Sequence, residues 1–222
     1  MALLKFFTVL TSLGAKERLA LSFRHMNDDP QNHIRVIPPL LRREVTLHEP
    51  YSGDYIHGYM VNAGFSENVM KWHRQHPGIP LRFFWDKWEE EPVKRVDNTL
   101  SFYQLDDVEF LRQMAGCKAY ASTAGFESVC EAMYLGKPIL MVPAHIEQDC
   151  NAYDAEKSGA GIISSDFNLQ QLLEFAKDYH PNRDFVYWVR GAEYTLLNLL
   201  ESDSSNYQQI LFNEMYLVEE FI

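Results

Sequence analysis

The sequence predicts an α/β protein built on a parallel sheet with helices on both faces. Short apolar runs such as Leu81–Trp85, Ala119–Thr123 and Ile139–Val142 have the length of buried strands. They alternate with segments of roughly 10–15 residues whose apolar positions recur at helical spacing. Turn signals fall between them, at Asn62-Ala63-Gly64, Pro77-Gly78, Gly136 and Gly159-Ala160-Gly161.

Taken in order, the chain opens on an apolar stretch, Met1 to Leu13, interrupted by Lys5 and Thr8. Leu3, Phe6, Phe7, Leu10 and Leu13 recur at helical spacing, and Leu19, Leu21 and Phe23 extend the apolar pattern. A signal peptide would want a more basic opening and a cleaner apolar stretch, so the segment reads as an amphipathic helix, with membrane-surface contact as an option. His25 to His33 is polar and turn-like. Ile34–Ile37 is a short strand stopped by Pro38-Pro39, and Leu40 to Glu49 is a connector. Strands are expected at Asp54–Val61, Leu81–Trp85, Leu100–Leu105, Ala119–Thr123, Ile139–Val142 and Ile162-Ile163. Helices are expected at Phe65–His76, Val108–Met114, Phe126–Leu135, Ala152–Ser158, Leu169–Lys177, Tyr187–Leu200 and Tyr207–Phe221. Asp86 to Asp97, with its Glu89-Glu90-Glu91 run, is a solvated loop, and Pro143 to Gln148 is a second loop.

Charge and composition narrow the function. The 222 residues carry a net charge of −11, with 46% hydrophobic residues, so the chain can bury a core. The acidic excess lies entirely beyond residue 50, and it repels a phosphate backbone, which argues against nucleic-acid binding. Cys117, Cys130 and Cys150 are odd in number and lack close spacing, so neither a disulfide framework nor a zinc site is indicated. A cytoplasmic setting follows, with peripheral contact at the inner membrane face as an option. No apolar run approaches the roughly 20 residues of a membrane helix.

In parallel sheets, ligands bind beyond the carboxyl ends of the strands. The loops to examine are 62–64, 86–97, 105–107, 122–128 and 143–151. Ser122-Thr123-Ala124-Gly125 leads from a strand into a helix that begins at Phe126. A helix start offers free N–H groups and the positive end of the dipole, and small residues let an anion approach. An ordinary helix cap explains the same residues. Glu131, farther along that helix, suits acceptance from a ribose diol, or is a solvated helix carboxylate. Glu147 and Gln148 pair an acid with an amide, a set suited to sugar hydroxyls and equally at home on a surface. Gly64 gives a second loop able to approach a phosphate. His73 and His76 lack a third metal ligand and read as an exposed polar face.

The run from Ser122 to Pro143, followed by Glu147-Gln148, Asn151-Ala152 and Gly159-Ala160-Gly161, resembles the donor-binding lobe of GT-B glycosyltransferases. The nearest groups are the UDP-glucuronosyl and UDP-glucosyltransferases and the undecaprenyl-linked N-acetylglucosaminyltransferases. The resemblance implies a Rossmann-like domain over 34–200, the C-terminal half of that fold. Residues 1–33 would be a helix and linker from a missing N-terminal lobe, and 201–222 a C-terminal helix. It implies that Ser122, Thr123, Ala124, Gly125, Ser128 and Gly64 hold a diphosphate. By the same resemblance Glu131 holds the ribose, Leu105 the base, and Glu147 and Gln148 the donor sugar. Thr123 stands where the family commonly has His, and Glu127 where an amide is frequent. The implied chemistry is inverting hexosyl transfer from a UDP-sugar to an unidentified acceptor hydroxyl, without a metal or cofactor. The catalytic base would come from the other lobe, so no catalytic residue is assigned in this chain. A UDP-sugar 2-epimerase of the same fold and a non-catalytic interaction domain are the alternatives.

Overall fold

The structure is a computed structural model and describes residues 2–87 and 91–201. The expected helix Tyr207–Phe221 and most of the Glu89-Glu90-Glu91 run lie outside the described residues.

The chain begins with helix α1 (Ala2–Thr11) and strand β1 (Arg18–Leu21), followed by β2 (Ile34–Ile37) and a one-turn helix α2 (Arg43–Thr46). The helical pattern expected to run toward Phe23 stops at Thr11. Leu19 and Leu21 are two residues apart, the period of a strand, and β1 pairs in parallel with β2. This pair straddles the boundary expected between residues 33 and 34, so residues 1–33 are not simply helix and linker. Beyond it, Phe23 packs on Phe126, Arg24 bonds Asp154, and the Trp188 indole donates to the Ser22 carbonyl.

The main sheet follows with β3 (Ile56–Met60), α3 (Ser66–Gln75), β4 (Leu81–Trp85), β5 (Val93–Arg95), β6 (Leu100–Gln104), α4 (Asp107–Gly116) and β7 (Ala119–Ser122). It is completed by α5 (Phe126–Tyr134), β8 (Ile139–Met141), α6 (Ile146–Lys157), β9 (Gly161–Ile163), α7 (Leu169–Phe175) and α8 (Arg183–Arg190). The spatial order is β5-β6-β4-β3-β7-β8-β9, and only β5 runs antiparallel. The order reverses direction between β3 and β7, which makes that seam the switch point. The expected strands and the helix at α3 are present, the fold class is α/β, and the sheet is parallel apart from its β5 edge. Three boundaries differ. β5 lies inside the expected charged loop. α6 begins at Ile146 instead of Ala152. The helix expected at Tyr187–Leu200 opens earlier, at Arg183, and turns at Gly191.

Alternation along the strands sorts the core into two layers. Phe84, Tyr120, Ile139 and Met141 face α4, α5, α6 and α8; Phe83, Trp85, Ala121 and Leu140 face α3 and α7. Burying each large side chain contributes roughly 1.5–3 kcal/mol. Gly161 is required where β9 meets β8, because a Cβ there would lie 1.9 Å from the Ile139 carbonyl oxygen.

Candidate donor-binding site

The carboxyl end of β7 sets the site. Ser122 Oγ accepts from the Ala124 amide at 3.1 Å, bending the chain directly after the strand. Ala124 takes a left-handed conformation with φ 61°, which costs a non-glycine residue roughly 1–2 kcal/mol. Its carbonyl accepts from Asn151 Nδ2 at 3.3 Å. Thr123 Oγ1 accepts from the Val61 amide at 3.4 Å, tying this loop across the seam to the end of β3. Ser122, Thr123 and Ala124 are buried, and each makes a contact that shapes the turn.

That turn delivers Gly125 to the N-cap of α5, and no side chain caps this end. Neither conformation nor space demands glycine here. Its φ is −63°, and an added Cβ would meet only Ser128 Oγ, at 3.6 Å. The helix start is therefore open, with its amides and positive dipole end directed outward. Ser128 Oγ donates to the Gly125 carbonyl at 3.2 Å.

A pocket of about 650 Å³ opens onto this helix end. Gly125, Ser128, Glu131, Leu105 and Glu147 line it together, which brings half of the expected site residues to one place. Tyr59, Phe110 and Phe126 add an aromatic wall, and Arg42, Asp107 and Glu127 complete it. The remaining expected residues stand back. Gly64 lies outside the pocket and its amide donates to Asn62 Oδ1 at 2.8 Å. Gln148 is buried, and its Oε1 accepts from the Ala144 amide at 2.9 Å, which fixes the loop ahead of α6. Its partner Glu147 is exposed in the first turn of α6.

Glu131 is only 2% exposed although it lines the pocket. Both of its carboxylate oxygens accept from Arg42, from Nε at 2.6 Å and from Nη2 at 2.9 Å. Arg42 Nη1 also reaches Asp107 at 3.2 Å. Burial raises the Glu131 pKa, the Arg42 hydrogen bonds and charge lower it, and Glu127 and Asp107 raise it; the net direction is up. Sequence reasoning missed Arg42 because it is 89 residues from its partner, in a connector marked only by prolines. Tyr59 and Phe110 carried no signal beyond core hydrophobicity.

Of the two histidines at the end of α3, His73 is buried instead of exposed and pairs with Asp97 at 2.7 Å, and His76, at the C-cap, stacks on Trp72. Among the described residues no group of three metal-ligating side chains occurs, and no helix is long and apolar enough to cross a membrane. A second cleft, of about 490 Å³, opens near Tyr51, Lys118 and Lys137 and contains none of the expected residues.

Residues 12–179 match the family described as glycosyl transferase family 1. The chain belongs to glycosyl transferase family 1. The chain is 26% identical over 105 residues to a Caenorhabditis elegans protein named "Putative UDP-glucuronosyltransferase ugt-48"; the match covers 46% of this chain and 20% of the relative. Among solved structures it superposes on the kitacinnamycin glycotransferase with a TM-score of 0.56 at 14% identity, covering 78% of this chain and 50% of the other. The Arabidopsis thaliana enzyme UGT89C1, solved with quercetin, gives a TM-score of 0.55 at 15% identity, covering 78% of this chain and 51% of the other. The calicheamicin glycosyltransferase CalG4 gives 0.54 at 14% identity, covering 77% and 48%. This chain therefore has the α/β fold of these GT-B glycosyltransferases and spans about half the length of the solved structures it matches.

Proposed function

We propose that this chain is the nucleotide-sugar-binding half of an inverting, metal-independent glycosyltransferase, with a UDP-sugar as donor. One observation carries the reading: the uncapped start of α5, the buried Glu131, Leu105 and Glu147 line a single pocket at the switch point. Amides at a helix start suit a diphosphate, a carboxylate suits a ribose diol, and the apolar wall around Leu105 and Tyr59 suits a base. Glu147, which lines the pocket, suits acceptance from donor-sugar hydroxyls, and Gln148 supports it by holding the Ala144 amide.

In this reading an acceptor hydroxyl attacks the anomeric carbon as the bond from that carbon to the diphosphate oxygen breaks. The negative charge that gathers on the leaving diphosphate falls on the α5 N-terminus, the electrostatic role that removes the need for a metal ion. The hydroxyl proton passes to a base in a companion lobe. The β1–β2 pair fits that lobe better than this one, since a parallel two-stranded sheet is too small to stand alone. The division between lobes then falls at Pro38-Pro39.

UDP at millimolar concentration should raise the melting temperature of the full chain, and Glu131→Ala should remove that rise. Absence of a shift with every nucleoside diphosphate would overturn the reading. The isolated chain is expected to bind the donor without turning it over, which a coupled UDP-release assay checks.

A further inference from the structure

We propose that Arg42 is a positioning residue: its guanidinium holds the buried Glu131 carboxylate in place and leaves the unused oxygen lone pairs for a ribose cis-diol. The inference rests on the donor-binding reading above and adds a residue to it from outside the α5 segment.

The geometry is specific. Arg42 engages Glu131 side-on through Nε and Nη2, one nitrogen to each oxygen. An ionised carboxylate has about four acceptor positions, so two remain after a bidentate guanidinium is satisfied. Among the described residues no other side chain donates to Glu131. A vicinal diol presents two O–H donors at a spacing that two carboxylate oxygens can accept. A third contact runs from Nη1 to the largely exposed Asp107 carboxylate at 3.2 Å. Arg42 is itself anchored, because the neighbouring Leu41 packs on the core and Val45 is fully buried.

The charges around Glu131 explain why such a partner is needed. Asp107 faces it from α4, Glu127 precedes it by one turn on α5, and the Tyr120 hydroxyl lies beneath it in β7. Glu147 lines the same pocket from α6. Among the described residues, the charged groups that act most strongly on Glu131 are Arg42, Glu127 and Asp107. A carboxylate buried in that company would take up a proton, and a protonated carboxyl no longer accepts from both hydroxyls of a diol. The Arg42 hydrogen bonds and charge oppose that uptake.

The test compares UDP with 2′,3′-dideoxy-UDP, which has the same base and phosphates but no diol. Taking the ratio of their dissociation constants cancels phosphate titration. The wild-type chain should prefer UDP on the order of ten- to a hundredfold at pH 7.5. Because protonation of Glu131 ends the contact, this preference should fall as pH is lowered. In Arg42→Met the pH of half-loss should move up, so the preference for UDP at pH 7.5 should be smaller than in the wild type. Arg42→Lys keeps the charge and should lie between the two, and it decides the matter should Arg42→Met fail to fold by circular dichroism. An unchanged preference in both variants at every pH overturns the inference. So does an equal loss of affinity for both ligands, since Arg42 would then act on the phosphates. If the wild-type chain binds neither ligand, the donor-binding reading itself fails; if it binds UDP with a diol preference that ignores Arg42, only the positioning role fails.

Discussion

His57, in the middle of β3, is wholly buried among the rings of Phe84, Phe110 and Tyr120, and neither ring nitrogen is in hydrogen-bonding geometry with a partner. Burial, reinforced by the Arg82 charge, pushes its pKa down to about 3. In the unfolded chain the ring titrates near 6.5. A base whose folded pKa is depressed contributes stability above the unfolded pKa and loses it as pH falls toward the folded value. The unfolded state therefore binds one more proton between about pH 6.5 and 3, and this ring alone removes about 1.4 kcal/mol of stability per pH unit across that window. His57→Phe should be more stable than the wild type in acid, with a difference that grows at that slope as pH falls. Urea titrations at pH 7, 6, 5 and 4 check it; a difference independent of pH would refute the assignment. Of the residues in the pocket, those on the Ser122–Glu131 segment were legible in the sequence because they are contiguous. Arg42 was not, since only the folded chain brings it to Glu131.

The start of α5 shows how one element serves stability and binding in opposite directions. Gly125→Asp would place a carboxylate at a vacant N-cap, with no clash and an unstrained backbone. Stability should rise by a few tenths of a kcal/mol, since Asp caps somewhat better than Gly. The same carboxylate would occupy the amides proposed for the diphosphate, so UDP affinity should drop on the order of tenfold or more, measurable by calorimetry. Elements with strong local signals matched expectation: Leu81–Trp85 is a strand to the residue. The misread elements lack such signals. β5 is a three-residue edge strand, Val-Lys-Arg, whose charges blend into the loop around it. α6 starts without a side-chain cap and carries polar residues on nearly every face, so its first turn looks like the preceding loop. β1 follows an apolar helix so closely that two periods merge into one apolar stretch.

At the scale of the whole molecule, Phe6, Phe7, Leu10 and Leu13 leave an apolar surface at one end of an otherwise acidic chain; Phe6 and Leu13 are 65% and 69% exposed. Surfaces of this kind drive association when uncovered. The isolated chain should self-associate at micromolar concentration, and the double substitution Phe7→Ser and Leu10→Ser should restore a monomer without altering the melting temperature by more than about 2 °C. Sedimentation equilibrium reads the outcome, and unchanged association in the variant would place the contact elsewhere. The parallel sheet and its two covered faces were legible from the rhythm of apolar runs. The placement of β1 beside β2 was not, because strand pairing across an intervening polar segment leaves no periodic trace.

The reversal of strand order between β3 and β7 has a kinetic consequence. The pairing of Ile56–Tyr59 with Ala119–Ser122 closes a long stretch of chain and joins two blocks, one holding β3, β4, β5 and β6 and the other β7, β8 and β9. Each block can assemble from nearer neighbours, and the seam between them is the most distant contact of the three parallel joints that β3 and β7 make. The pocket takes Tyr59, Leu105 and Phe110 from the first block and Gly125 to Glu131 from the second. It exists only when the seam has closed. During refolding, recovery of UDP binding should trail recovery of the far-ultraviolet dichroism signal, so that the ligand becomes a reporter of the last join in the sheet.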